Sequence, residues 1–393
     1  MNSLFLSRIA TLRWLAALIA VSYHVRFLLF ANYGHVAHKG ILTRLFYFVT
    51  SLGHESFIAY MVLSGLLLGG LPLSRWRRGA DPRPDLWRNG RKAYLLLVPA
   101  LAAGGLLDVA GGALFAGSGV YAALPQSAPT HLTPFVLFGN LLLLQDIVVP
   151  GFGSNAMLFL LAYEAWAYVV LATAFSFGPS GLRRGCAVAA LLAAALVLVA
   201  PRYLGYLAAW LLGLAVAAWA PRWRGRVPGW AGAALLFAVL LASRVAGARL
   251  ASLQPAYVSL LRLLLDLMVA AGLAVFLATL YGSRGRRARP GTAARLRRAL
   301  AGLGLPLYAT QFPFMAFAVA LANAWLGLPL AAQPSAGGLL AFALVIGAIY
   351  LFALLAARAS AVLAAMLPSR AAARWSRQWS NAYASLGRLS RRP

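Results

Sequence analysis

Residues 158–177 read LFLLAYEAWAYVVLATAFSF. A single carboxylate, Glu164, interrupts a run that is otherwise apolar, aromatic or weakly polar. A helix rises about 1.5 Å per residue, so roughly 20 such residues reach across a hydrocarbon core. The run is one of eleven apolar segments, at about 8–30, 45–71, 93–114, 134–150, 155–177, 185–200, 203–219, 229–248, 258–281, 300–325 and 337–366. Hydrophobic residues make up 62% of the 393-residue chain and charged residues 11%. A soluble domain is about half apolar and roughly a quarter charged. So much apolar surface must face lipid, where only structures that satisfy their own backbone survive. The fold class is therefore all-α, a polytopic membrane helix bundle.

Thirty-five Lys and Arg stand against seven Asp and Glu, a net charge of +28. In a soluble protein this balance suggests nucleic acid. Here the arginines occupy short loops between spans, which is the positive-inside pattern and excludes nucleic acid as the partner. Three basic stretches should be cytoplasmic: 75–92, 282–298 and the tail 368–393. Two loops on one side need an even number of spans between them, yet seven segments separate the first two. The segment 134–150 is short, bounded by Pro134 and Pro150, and carries Asn140, Gln145 and Asp146. It is expected to be re-entrant or interfacial. The remaining ten spans place both termini in the cytoplasm. Residues 1–367 form one membrane domain. The tail, with Trp375, Trp379 and Tyr383 among its arginines, reads either as an amphipathic helix on the inner leaflet or as a plain basic tail. No small-residue cleavage site closes the first apolar run, so it is expected to be a retained span. Cys186, the only cysteine, leaves no intramolecular disulfide and no Cys-rich metal site. The five histidines are dispersed, and no metal centre is expected.

A charged group within a span is costly, and its position is a candidate site. Arg13 and His24 lie eleven residues apart in the first span, about three turns and so on one face. Taken alone, Arg13 also fits snorkelling to the membrane surface, and His24 fits a buried histidine bonded to a neighbouring helix. Glu55, beside His54, lies well inside the membrane if the second span starts near Leu45. It is a helix-terminal cap if the span starts near Gly53. Arg88 and Arg91 share one side of a helix at the mouth of the third span. They suit phosphate binding through the planar guanidinium fork, and equally a positive-inside anchor. Glu164, flanked by Tyr163, Trp166 and Tyr168, is the strongest single candidate. A His24–Glu164 pair would serve as general base and its orienter. Asp108 and Asp266 read as structural, with Arg262 the expected partner of Asp266 one helical turn away.

Five stretches then resemble the acyltransferase-3 family, membrane enzymes that O-acylate glycans. The first runs from Arg13 to His24, an arginine and a histidine ten intervening residues apart. The second is Gly53-His-Glu-Ser with Met61-Val-Leu-Ser-Gly-Leu-Leu-Leu-Gly69. The third is Arg88-Asn-Gly-Arg91 with Tyr94 and Pro99. The fourth joins Asn140-Leu-Leu-Leu-Leu-Gln145 to Leu161-Ala-Tyr-Glu-Ala-Trp-Ala-Tyr168. The fifth is Leu303-Gly-Leu-Pro-Leu-Tyr-Ala-Thr-Gln-Phe-Pro313. They follow in order over residues 8–325. Ala10 and Thr11 stand where the family often has Asp, Phe159-Leu160 where it often has Trp, and Gln311 where it commonly has His.

The composition, rich in Ala, Leu and Arg, suggests a GC-rich bacterium and so the bacterial inner membrane. The resemblance implies O-acetylation or a similar polysaccharide modification. Acyl-CoA, most often acetyl-CoA, is the co-substrate and no cofactor is permanently bound. By the same resemblance Arg88 and Arg91, with Arg13, hold the CoA phosphates. His24 and Glu164 are the catalytic residues, His24 as general base or acyl relay and Glu164 orienting His24 or positioning the sugar. Glu55, Tyr163, Trp166 and Gln311 face the carbohydrate acceptor. Two other classes remain open on the residues: a transporter or exporter of an anionic solute or glycan, and a non-catalytic component of polysaccharide assembly.

Overall fold

The computed structural model describes residues 3–124, 131–223, 227–250, 255–282, 299–300 and 302–366. Among these the chain is helical, with two isolated bridges, Phe30 to Ala332 and Gln145 to Val149, and no strand. In order the helices are α1 (Ser3–Leu29), α2 (Ile41–Thr50), α3 (Gly53–Ser64), α4 (Gly70–Trp76), α5 (Arg83–Leu114), α6 (Val120–Ala123) and α7 (Pro134–Leu141). After them come α8 (Phe159–Phe175), α9 (Leu182–Val199), α10 (Tyr203–Trp219), α11 (Gly229–Arg249), α12 (Pro255–Gly282), α13 (Gly304–Leu326) and α14 (Ala336–Met366).

Ten of the described helical stretches are long and apolar enough to cross a membrane. They match the ten expected spans, and the chain is an integral membrane protein. The arginines of 283–298 and the tail 368–393 lie outside the described residues.

Two expectations need correction. The segment 45–71 is not one helix. It divides at Ser51–Leu52 into the short α2 and a span running Gly53–Trp76. Ser51 ends α2 by bonding its own turn: its N–H reaches the Tyr47 carbonyl at 3.0 Å and its Oγ that of Phe48 at 2.9 Å. Serine competes for backbone in this way and stops helices. Gly53 then starts the span where any Cβ would collide with the Tyr23 ring. The basic stretch 75–92 is likewise not all loop, because α5 begins at Arg83 and carries Arg88, Arg91 and Lys92.

The segment 134–150 does not cross. Pro134 opens α7, Thr133 caps the Val136 N–H at 3.3 Å, and the helix ends after eight residues. Leu143 and Asp146 then take the left-handed conformation, φ 58 and 59, which reverses the chain. Asn140 locks the reversal by donating to Val136 and Pro150 carbonyls at 2.8 and 2.9 Å and accepting from the Phe152 N–H at 3.1 Å. Gln145 donates to the Leu158 carbonyl at 2.9 Å.

The chain divides into two compact units. One comprises Met1–Ile9, His54–Gly90 and Ala162–Arg287. In it α11 packs on α12, and α10 packs on α12 and on a π turn at Gly65–Gly69 that joins α3 to α4. Small residues let the backbones approach: a Cβ on Gly65 would strike the Trp210 carbonyl, one on Gly213 the Val62 carbonyl, and one on Gly70 the Ala217 methyl. This is the packing that apolar surroundings favour, because lipid offers no hydrophobic drive between helices.

The other unit comprises Ala10–Gly53, Arg91–Leu161 and Ala288–Pro393. Its core joins Leu96, Leu97, Ala100 and Leu101 of α5 to Leu158, Leu161 and Ala309. There α13 packs along α14, with Phe314 stacked on Phe352 at 4.3 Å. Asp108 on α5 is structural, as expected. It accepts from both the N–H and the Oγ of Ser154, each at 2.7 Å. Asp108→Ala strands two buried donors, each worth about 1–3 kcal/mol when left unmet. The thermal unfolding midpoint in detergent should fall clearly.

Candidate functional site

Glu164 sits about a turn and a half into α8 and is buried at 6% exposure. Its carboxylate takes two hydroxyls from α3. Tyr60 donates to Oε2 and Ser64 donates to Oε1 at 2.8 Å. Tyr60 and Ser64 are four residues apart, hence on one helix face. Behind Ser64, the Trp210 indole N–H donates to Oγ at 3.2 Å. The result is a polar network, Trp210 to Ser64 to Glu164 to Tyr60, within apolar helices. It explains the serine and glycine of Val62-Leu-Ser-Gly65: Ser64 meets the carboxylate, and Gly65 admits the Trp210 backbone. π turns such as the one that follows are rare and are often found at functional positions. Tyr60, Ser64 and Trp210 were not singled out by sequence. Two hydroxyls at helical spacing within a span, one turn before a glycine pair, were the available signal.

Tyr163 is fully buried, its ring against Tyr203 at 5.1 Å and Tyr206 at 5.2 Å. Trp166 is half-buried. Glu55 lies in the first turn of α3, so the span does start at Gly53, but the carboxylate is no exposed cap. It is buried at 4% and accepts from Ser243 at 2.9 Å, with the Arg244 guanidinium at 3.6 Å. Next to it, His54 Nε2 meets Asp266 at 2.6 Å. Asp266 thus pairs across helices with His54, where the sequence reading expected Arg262. The reason is geometric: a short aspartate reaches an imidazole on a packed neighbour more directly than a guanidinium one turn away on its own helix.

Arg88 stands at the start of α5 in a second ionic cluster. Asp85, buried at 3%, accepts from Arg75 at 2.7 Å and from the Trp76 indole at 3.0 Å, and pairs with Arg88 at 2.7 Å. Both arginine side chains remain about half exposed, 50% and 53%. The carboxylate sets their direction while leaving donors for an anion. Asp85→Ala removes three partners at once from a buried position. It should destabilise the protein more than Arg75→Ala or Arg88→Ala, because the Trp76 indole is then left buried and unmatched. Thermal unfolding of the three variants in detergent tests this order.

The other candidates belong to the second unit. His24 on α1 is buried at 7%. Its ring meets Phe312 of α13 edge-on at 5.0 Å and Tyr23 at 5.2 Å. One ring nitrogen engages the Ala20 carbonyl one turn back. In the neutral ring that bond places the N–H there and the lone pair on the other nitrogen. Gln311, beside Phe312, is 1% exposed, and among the described residues neither atom of its amide has a hydrogen-bond partner. Arg13 is half-buried, and the Cα of Gly304 directs its missing Cβ towards the Arg13 carbonyl, 3.9 Å away. Arg91 is half-buried on α5.

The structure therefore brings the first stretch to the fifth and the second to the fourth. His24 and Glu164 fall in different units, and each is held by partners within its own. No group of three or more metal-binding side chains occurs among the described residues. No protein-family model, no curated protein and no solved structure matches the chain.

Proposed function

We propose that the protein is a membrane acyltransferase that moves an acyl group, acetyl in the first instance, from acyl-CoA to a hydroxyl of a carbohydrate. The observation that carries this reading is the meeting of stretches far apart in sequence. His24 of the Arg13–His24 stretch touches Phe312 of the Gln311-Phe-Pro313 stretch. Tyr60 and Ser64 of the Ser-Gly stretch hold Glu164 of the aromatic stretch. That these stretches meet in pairs supports reading them together.

In the reaction the acceptor oxygen attacks the thioester carbonyl. A C–O bond forms, the C–S bond breaks, and the hydroxyl proton passes through His24 to the departing CoA thiolate. Arg13, Arg88 and Arg91 are the proposed phosphate contacts, Arg88 being pre-oriented by Asp85. Glu164, Tyr60 and Ser64 hold α8 to α3 within the first unit. Glu55, Tyr163, Trp166 and Gln311 remain the proposed acceptor contacts. Of these Gln311 fits best, since an amide with one donor end and one acceptor end unmet suits a hydroxyl.

The experiment is thiol release from acetyl-CoA by purified protein in detergent, with and without carbohydrate acceptors. Release that depends on acceptor and on His24 supports the reading. Absence of release across several acyl-CoAs and acceptors moves the assignment to transport or to a non-catalytic role in polysaccharide assembly.

A further inference from the structure

The hairpin between α4 and α5 carries Arg75, Arg77, Arg78, Arg83 and Arg88 against only Asp81 and Asp85. Local bonds fix its turn. The Ala80 N–H reaches back to the Arg75 carbonyl at 3.1 Å, and Gly79 takes φ 91°, a left-handed value that glycine adopts at no steric cost. Asp81 accepts from the Arg83 N–H at 3.0 Å as α5 begins, and the Asp85 N–H reaches the Pro82 carbonyl at 3.1 Å. The chain thus folds back and brings Arg75, near the end of α4, to Arg88, in the second turn of α5.

Both guanidiniums meet one carboxylate from its two sides. Arg75 takes Oδ2 of Asp85 and Arg88 takes Oδ1, each at 2.7 Å. Asp85 is buried, and the Trp76 indole N–H holds it from behind at 3.0 Å. Tyr168 of α8 backs the cluster, its ring tilted on Trp76 at 5.6 Å and its hydroxyl beside Asn89. The carboxylate is therefore fixed inside, while the two guanidiniums stay half exposed. A guanidinium has five N–H donors. Each of these commits one terminal nitrogen to Asp85, and among the described residues neither meets a second carboxylate. Two cations on one anion leave positive charge and oriented donors at an open surface.

Planar guanidinium forks match the oxygens of a phosphate, and two forks held side by side can grip it together. We propose that Arg75 and Arg88 form a two-arginine seat for a phosphate group, with Asp85 the residue that positions both. The inference rests on the acyl-transfer reading for the identity of its ligand, the phosphates of acyl-CoA, and adds Arg75, which no motif indicated. An anionic lipid offers the same chemistry. Trp87, next to Arg88, and Leu71, one turn before Arg75, are both exposed, as suits a membrane interface. A positive-inside anchor needs exposed charge alone. It gives no reason for a buried carboxylate that aligns two arginines from different helices.

The test is calorimetric titration of the purified full chain in detergent with acetyl-CoA and, separately, with inorganic pyrophosphate. Arg75→Ala and Arg88→Ala should each weaken binding about tenfold. Arg75→Lys keeps the charge but loses the fork, and should still weaken it about threefold or more. Asp85→Asn tests positioning. By charge alone it would strengthen anion binding, whereas lost alignment should weaken it about threefold or more. The arginine variants change half-exposed positions, so they decide the matter even if Asp85→Asn fails to fold. Unchanged binding in Arg75→Ala, with loss in Arg88→Ala, overturns the seat and leaves the acyl-CoA reading standing. Stronger binding in Asp85→Asn overturns its positioning role. An equal loss in Arg77→Ala, an exposed cation of the same hairpin, means diffuse attraction and also overturns the seat. Arg75-dependent binding of pyrophosphate without binding of acetyl-CoA keeps the seat and rejects the acyl-CoA reading. Phosphatidylglycerol added to the micelles separates the two phosphate sources. If it displaces pyrophosphate and acetyl-CoA does not, the seat belongs to a lipid headgroup; if acetyl-CoA displaces pyrophosphate and the lipid does not, it belongs to the soluble ligand.

Discussion

Gly65→Ala and Gly213→Ala are each expected to abolish recovery of folded protein, or to lower its thermal midpoint more than any other single alanine substitution. A methyl at Gly65 would overlap the Trp210 carbonyl, and one at Gly213 would overlap the Val62 carbonyl. Neither obstacle is a side chain that can turn aside. To admit the methyl, α3 and α10 must separate. That would stretch the Trp210–Ser64 hydrogen bond and expose the Glu164 network that depends on it. Overpacking a tight core costs about 1–3 kcal/mol, and a backbone obstacle belongs at or above the upper end. Gly247→Ala on α11 is the control. Nothing lies within 4 Å of its missing Cβ, and alanine is the better helix former by about 1 kcal/mol. Size-exclusion profiles and thermal unfolding in detergent decide the matter. A Gly65→Ala protein that melts with the wild type would mean that α3 and α10 are not packed this closely.

His24→Ala is expected to reduce acceptor-dependent thiol release by about a thousandfold at an unchanged level of folded protein, within the range of a lost general base. The ring is nearly enclosed, bonded to the Ala20 carbonyl and lodged against Phe312 and Tyr23. Removing it leaves a cavity as well as a lost base, so a stability change must be separated from a chemical one. His24→Gln fills most of the space, keeps a donor for Ala20 and carries no basic nitrogen. It should be as inactive as His24→Ala while melting closer to the wild type. Full activity in His24→Gln would remove His24 from the proton path and leave it a packing residue.

The number of spans, though not all of their limits, was legible in residue order because crossing a membrane is a local demand. About 20 apolar residues suffice wherever they fall in the chain. The parity of the basic loops identified 134–150 as the segment that does not cross, and its prolines and polar residues are those that build the reversal. The break at Ser51 was less legible. The residues on both sides are apolar, and only the bond from Ser51 to its own turn distinguishes two helices from one.

Partners were another matter. Spans that are apolar on every side have no polar face to announce their orientation, so sequence could name Glu164 as costly without saying what satisfies it, offered Arg262 for Asp266, and did not single out Asp85. Tertiary packing chose Tyr60 and Ser64 for the first, His54 for the second, and Arg75, Trp76 and Arg88 for the third. Sequence by itself determined that this is a helical membrane protein with about ten candidate spans, because hydropathy acts over one turn after another along a single helix. Which polar groups meet depends on how each helix is rotated against its neighbours, and contacts between residues distant in the chain are what set that rotation.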